Sequence, residues 1–284
     1  MAETQPGTLA IRMLNDYDAR NPGTAFSDGL RLGLDDAWKL QAAVARLREQ
    51  RGEAVVGYKI GCTCESNQRA NGVSHPLWGR LWSTEQHADG AALRKGDFAN
   101  VALEAEFAVT LARAIDPANA SPEEVAGAVD RIYPVIELHN LVMRGAPPYG
   151  HELVANNCIH AGVVRGQGVE VSKAPLATDL ALMFDGETVD SWPSLQWPDD
   201  ILSSVKWLAE RFAESGLRLK KGDLILTGAF GPPIALGDKT RVDVTSSAFG
   251  NVSATITRAP DAEETRTALT NKSTKGTRKT RMTG

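Results

Sequence analysis

Residues 102–113 read ALEAEFAVTLAR, with two carboxylates, Glu104 and Glu106, alternating with Leu103, Ala105 and Phe107. Alternation of this kind predicts a strand, because residues two apart point to the same side of an extended chain. Both acids then share one face, while Leu103, Ala105 and Phe107 share the other. Adjacent like charges repel, and burying them adds a desolvation cost. Ala102 and Ala108 lie on the acidic face and favour its burial, so a compensating positive charge is expected, and a divalent cation would supply it. A lone strand glutamate ordinarily faces solvent; the pair and its alanine neighbours weaken that reading.

Working outward, PVIELHN (134–140) places another acid, Glu137, in an apolar strand with Val135 and His139 on its face. Three carboxylates from two strands can converge on one hard cation, and all-oxygen ligation suits Mg²⁺, Mn²⁺ or Ca²⁺ with water in the open positions. VVGYKIGCT (55–63) predicts a strand carrying Lys59 between Tyr58 and Ile60, with Gly57 and Gly61 as sites of bulge or close backbone approach. A solvent-facing lysine is the plain alternative. Beside a carboxylate-rich site its ammonium would neutralise charge, anchor a substrate carboxylate or transfer a proton.

Helices are expected over 34–50, where Asp35 and Asp36 suit the N-terminal end, at 121–132 behind the cap Ser121, and over 198–216. The Pro-, Gly- and Trp-rich stretch GVSHPLWGRLWS (72–83) reads as a loop, and Asp185-Gly186 as a hairpin turn. Short strands with turn punctuation and few helices predict a β-rich α+β fold, not a regular doubly wound sheet. The chain has 284 residues, 42% hydrophobic and 23% charged, an ordinary globular composition. We expect one catalytic domain over 1–260 with a helical N-terminal part, followed by a mobile basic tail over 261–284.

The formal net charge of −4 gives no reason to expect a nucleic-acid or anionic-membrane partner. No apolar run reaches the roughly 20 residues of a membrane span, and the opening residues do not read as a signal peptide. Three cysteines make a poor disulfide framework, so a reduced, cytoplasmic protein is expected. Cys62 and Cys64 could form half of a zinc site, but packing thiols fit better without a second cluster nearby.

Together VVGYKIGCT, LEAEFAV (103–109), PVIELHN and GDLILTGAFGPPIALGD (222–238), in this order, resemble the fumarylacetoacetate hydrolase superfamily and, within it, the 2-keto-4-pentenoate hydratase and 4-oxalocrotonate decarboxylase branch. The resemblance runs from about residue 30 to about residue 256. It implies the fumarylacetoacetase C-terminal-like fold, a mixed β-sandwich or roll with flanking helices. It also implies Mg²⁺ or Mn²⁺ on Glu104, Glu106 and Glu137, with Lys59 as the motif lysine. The implied substrate is a small 2-keto or 2-hydroxydienoic acid from aromatic-ring degradation, and the implied chemistry proceeds through a metal-chelated enolate. Hydration is the first expectation; decarboxylation, C–C hydrolysis and a non-catalytic partner subunit are the alternatives. Thr227 and Gly228 fall where the family approaches its substrate, and Asn156 is a further candidate for its oxygens. A homo-oligomer is expected, with a complex with a related enzyme as a further option.

Three positions depart from the hydratase pattern. Leu77 stands where an acid is usual, Asn140 replaces the Asp of Glu-x-x-Asp-Ser-Arg, and Asn156 replaces the Asp of Ala-Asp-Asn. His75 and His139 are the candidate replacement proton carriers, since imidazole titrates near neutrality. A structural role is the alternative for both. His87, His151 and His160 receive no role.

Overall fold

A computed structural model describes residues 6–171 and 176–258; the expected basic tail lies outside the described residues. The Glu104 segment is an eleven-residue strand, Val101–Leu111, pairing antiparallel with Val129–Asn140, the strand of Glu137. The lysine strand Val55–Gly61 runs parallel to Leu224–Leu226, which in turn pairs antiparallel with the Glu104 strand. His160–Arg165 completes the neighbourhood against the Glu137 strand. These belong to a nine-stranded mixed sheet, and a second, five-stranded sheet contains the expected hairpin, Leu176–Phe184 and Glu187–Trp197.

The main core lies between the two sheets. Leu103, Ala105 and Phe107 enter it from the Glu104 strand, Ile132, Ile136 and Leu138 from the Glu137 strand, and Leu180, Leu182, Val242 and Val244 from the second sheet. Helix Asp199–Glu214 adds Ile201, Val205, Leu208 and Phe212, the residues whose spacing predicts its buried face. A smaller core joins helices Pro6–Asp18, Leu34–Gln50 and Gly150–Ala155 to Leu77. The fold is thus β-rich α+β with flanking helices, as the sequence predicts. None of its helices, among the described residues, is long and apolar enough to cross a membrane.

Two expectations fail. The helix expected at 121–132 ends at Ala128, and residues 129–132 open the Glu137 strand, where pairing with the Glu104 strand overrides the local helical pattern. Leu77–Trp82, read as loop, is a strand paired antiparallel to the lysine strand. Its Pro and Gly neighbours suggest a turn, but tertiary pairing overrides that composition. Gly79 permits a close approach: a Cβ there would sit 2.7 Å from the Asn157 carbonyl oxygen. Gly57 plays the matching part on the lysine strand, where a Cβ would meet Leu224 O at 1.8 Å.

Candidate metal and substrate site

Strand register assembles the acids. Glu104 lies directly across from Glu137 in the antiparallel pair, and Ala102 lies across from His139. Odd-numbered residues of the Glu137 strand from Tyr133 to His139 share the face opposite the main core, and the Glu104 strand turns its even-numbered residues to the same side. Lys59 arrives from a strand two places from the Glu104 strand and three from the Glu137 strand, and places Nζ 3.3 Å from Glu137 Oε1.

Burial defines the electrostatics. Glu106 and Glu137 are 0% exposed, Lys59 3% and His139 1%. His139 Nε2 lies 2.9 Å from Glu104 Oε2 and 3.5 Å from Glu137 Oε2, and His160 Nδ1 lies 2.7 Å from Glu137 Oε1. The Gly228 N–H donates to Glu106 Oε2 at 3.3 Å. Glu106 Oε1 and Glu137 Oε2 have no hydrogen-bond partner. Two carboxylate oxygens held this way in a water-poor interior are costly unless a cation meets them.

Burial, followed by the fields of Glu137 and Glu104, raises the Glu106 carboxyl well above its usual range. Burial acts against ionisation of Glu137 as well, but Lys59, His139 and His160 together outweigh it and hold its carboxyl low. Burial likewise disfavours the Lys59 ammonium, yet the surrounding carboxylates, Glu137 first, prevail and keep it protonated.

These residues fit a divalent cation. With all three carboxyls ionised, as ligation requires, they exceed the one ammonium by two negative charges, which a 2+ ion cancels. Ligating atoms of Glu104, Glu137 and His139 lie within 4.8 Å of one another. That group has His139 where the sequence reading has Glu106; Glu106 is the next residue along the same face of its strand and has one oxygen free.

A cavity of about 230 Å³ opens beside this cluster. Lys59, Glu104 and His139 form polar parts of its wall; Leu77, Leu141, Met143, Leu153, Pro232 and Pro233 form much of the remainder, with Asn67, Asn71 and Tyr149 as neutral polar groups. Lys59 is the one cationic side chain lining it among the described residues.

The remaining sequence candidates divide between this site and other surroundings. His75 does not line the cavity; its ring stacks against Trp207 at 6.1 Å. The Thr227 hydroxyl donates to Phe107 O at 3.0 Å within the sheet. Gly228, at φ +103°, adopts a conformation suited to glycine, and a Cβ there would press Thr63 at 2.5 Å. Asn156 lines a separate small cavity that also touches His160, while Asn157 is spent on the backbone of Arg80. Asn140 accepts the Ala99 N–H at 2.8 Å. Cys62 lines the substrate-sized cavity and Cys64 is exposed beside Ser66.

Sequence reading passed over His160, which reaches Glu137, and Cys158, which lines the cavity. The short apolar run in HAGVVR allows a strand but says nothing of its partner. Only the register shift between Leu138 and His139 sets His160 against Glu137's end of the site.

No protein-family model matches the chain. It is 29% identical over 223 residues to a 2-keto-4-pentenoate hydratase of Burkholderia vietnamiensis, covering 78% of this chain and 85% of that one. It is 27% identical over 229 residues to a 2-oxo-hept-4-ene-1,7-dioate hydratase of Escherichia coli, covering 77% and 84%. Among solved structures, 4-oxalocrotonate decarboxylase from Pseudomonas putida G7, complexed with magnesium and adipate, superposes with a TM-score of 0.79 at 23% identity, covering 90% of this chain and 98% of that chain.

Proposed function

From the premise that this chain is a member of the hydratase and decarboxylase branch of the fumarylacetoacetate hydrolase superfamily, the family its relatives support, we propose a divalent-metal-dependent lyase that hydrates a small 2-keto (2-hydroxydienoic) acid. The observation that carries this reading is the convergence of Glu104, Glu106, Glu137 and Lys59 beside a cavity of suitable size. Glu104, Glu106 and Glu137 would hold Mg²⁺ or Mn²⁺, with the His139 nitrogen close enough to join them. When bound, the cation supplies a Lewis acid that polarises the 2-keto acid and stabilises charge developing on it.

The chain's own groups do the rest. In the ion-free protein the surrounding carboxylates keep Lys59 charged, and its ammonium on the cavity wall is suited to anchor the substrate carboxylate. His139 lines the cavity, and its Nδ1 has no partner in the fold, which frees that nitrogen to exchange a proton with the substrate or with water. The apolar wall excludes bulk water and favours a substrate with an apolar tail over one with a second carboxylate, which no cation among the described lining residues would meet. Gly228 serves by holding Glu106, and Thr227 by fixing the strand end beside it.

Decarboxylation is the second reading, favoured by Leu77. That residue is 1% exposed and gives the cavity wall a hydrocarbon surface where hydration would use an acid to direct water. The free cysteines Cys62, Cys64 and Cys158 support a reducing, cytoplasmic setting, and a closed homo-oligomer is the expected assembly.

The test is turnover of 2-hydroxypenta-2,4-dienoate and of 4-oxalocrotonate with Mn²⁺, with Mg²⁺ and with EDTA. Conversion of the dienoate to 4-hydroxy-2-ketopentanoate supports hydration; CO₂ release from the dicarboxylate alone selects the second reading. Undiminished turnover in EDTA refutes metal dependence.

A further inference from the structure

The two oxygens of Glu137 have different surroundings. Oε1 is held by His160 Nδ1 at 2.7 Å and by Lys59 Nζ at 3.3 Å. Oε2 is buried with no hydrogen-bond partner and lies 3.5 Å from His139 Nε2. One oxygen is thereby fixed to the protein and the other left for the ion.

His160 is itself buttressed. The ring is 1% exposed, and Nε2 lies 3.8 Å from Glu85 Oε2, beyond a hydrogen bond but near enough for the carboxylate to pack against the ring edge. The other Glu85 oxygen takes Arg48 Nη2 at 2.5 Å and the Tyr17 hydroxyl at 2.6 Å. Arg48 comes from helix Leu34–Gln50 and Tyr17 from helix Pro6–Asp18, and the Arg48 guanidinium lies over the rings of Tyr17 and Trp82 at 5.0 and 4.4 Å. The helical N-terminal layer, which supplies none of the proposed metal ligands, therefore comes within 3.8 Å of His160 through the buried Glu85 carboxylate.

We infer that His160 is a positioning residue: it pins Glu137 Oε1 so that Oε2 is turned toward the ion, and Glu85, anchored by Arg48 and Tyr17, holds the His160 ring. This rests on the metal-dependent reading above. A carboxylate that ligates a cation can only accept, so at 2.7 Å His160 Nδ1 is the donor, which fixes the ring's orientation. Partners of this kind set the geometry of a ligating carboxylate, and their loss typically weakens metal affinity by about 10–100-fold.

Isothermal titration of Mn²⁺ into the full chain without substrate tests the inference, alongside thermal unfolding of the ion-free protein. His160→Ala is expected to weaken Mn²⁺ binding by about 10–100-fold, and Glu85→Gln by a smaller factor. His160→Asn, whose amide can donate from near the Nδ1 position, is expected to recover most of the affinity, whereas His160→Gln, with its amide one carbon farther out, is not. Should His160→Ala fail to fold, the Asn–Gln contrast decides. Mn²⁺ affinity matching wild type in His160→Ala, or in both amide variants, overturns the inference even where unfolding shifts, since His160 is then packing alone. A wild-type chain that takes up no Mn²⁺ sinks the metal reading and this inference with it; normal wild-type uptake with unaffected variants sinks only the inference.

Discussion

The two faces of the strand Val101–Leu111 are both largely buried, the apolar one completely, and they are built for opposite work. Leu103, Ala105 and Phe107 meet the second sheet across a hydrocarbon core. On the other face, Glu104 and Glu106 meet Glu137, Lys59 and His139 in a polar pocket with two unpartnered carboxylate oxygens. The first face gains from leaving water in proportion to its apolar area. The second loses by it, and persists because surrounding structure holds it in place. Stability and the proposed function are thus divided across the thickness of one strand.

The sharpest break of that comparison is on the acidic face. Glu104→Ala and Glu137→Ala should each lower turnover by about a thousandfold or more and weaken Mn²⁺ uptake, while far-ultraviolet circular dichroism stays native; steady-state kinetics with titration calorimetry measures both. On the apolar face Phe107→Ala should cost about 3–5 kcal/mol of stability by denaturant unfolding, with the Mn²⁺ affinity of the folded protein unchanged. A large affinity loss in that variant would show that the two faces are not separable.

Lys59→Met should lower kcat/KM by about a hundredfold and destabilise the ion-free protein, because Glu137 loses its buried counter-charge. Lys59's protonation is favoured by folding, so its contribution is fully present below the unfolded lysine pKa and is lost only as pH rises through the still higher folded value. Across neutral pH this contribution is flat. Glu106 behaves differently. Its folded carboxyl titrates well above the usual 4.5, so the folded state holds the proton more tightly and the ion-free protein loses stability as pH rises from that value toward the folded one. A cation must displace this proton, so Mn²⁺ affinity should climb over the same window by up to about tenfold per pH unit, with proton release visible as buffer-dependent calorimetric heats. The smallest effect belongs to His75→Gln. With its ring against Trp207 and outside the cavity lining, kcat/KM should change by less than about threefold.

The acidic strand, the Glu137 strand, the lysine strand and the helix Asp199–Glu214 were all legible, since each carries a period of two or 3.6 over enough residues to be read locally. Leu77–Trp82 was not, because Pro76 and Gly79 make the local composition loop-like while its stability comes from pairing with a strand about twenty residues away. His160 was invisible for a related reason: its role depends on which residue of a neighbouring strand stands opposite, and register is a property of the pair. His139 and His75 looked alike in sequence, each a histidine near a motif, and the fold drew one to the cluster and the other to a tryptophan.

The sequence by itself determined that acids at 104, 106 and 137 lie on apolar strands and that one lysine lies on another, because alternation is written into consecutive residues. Only the tertiary structure decided that Glu104 faces Glu137, that Lys59 and His160 share one oxygen of Glu137, and that helices from the N-terminal layer stand behind them. Side-chain direction follows from local backbone geometry, whereas convergence requires strand order, register and packing that no single segment encodes.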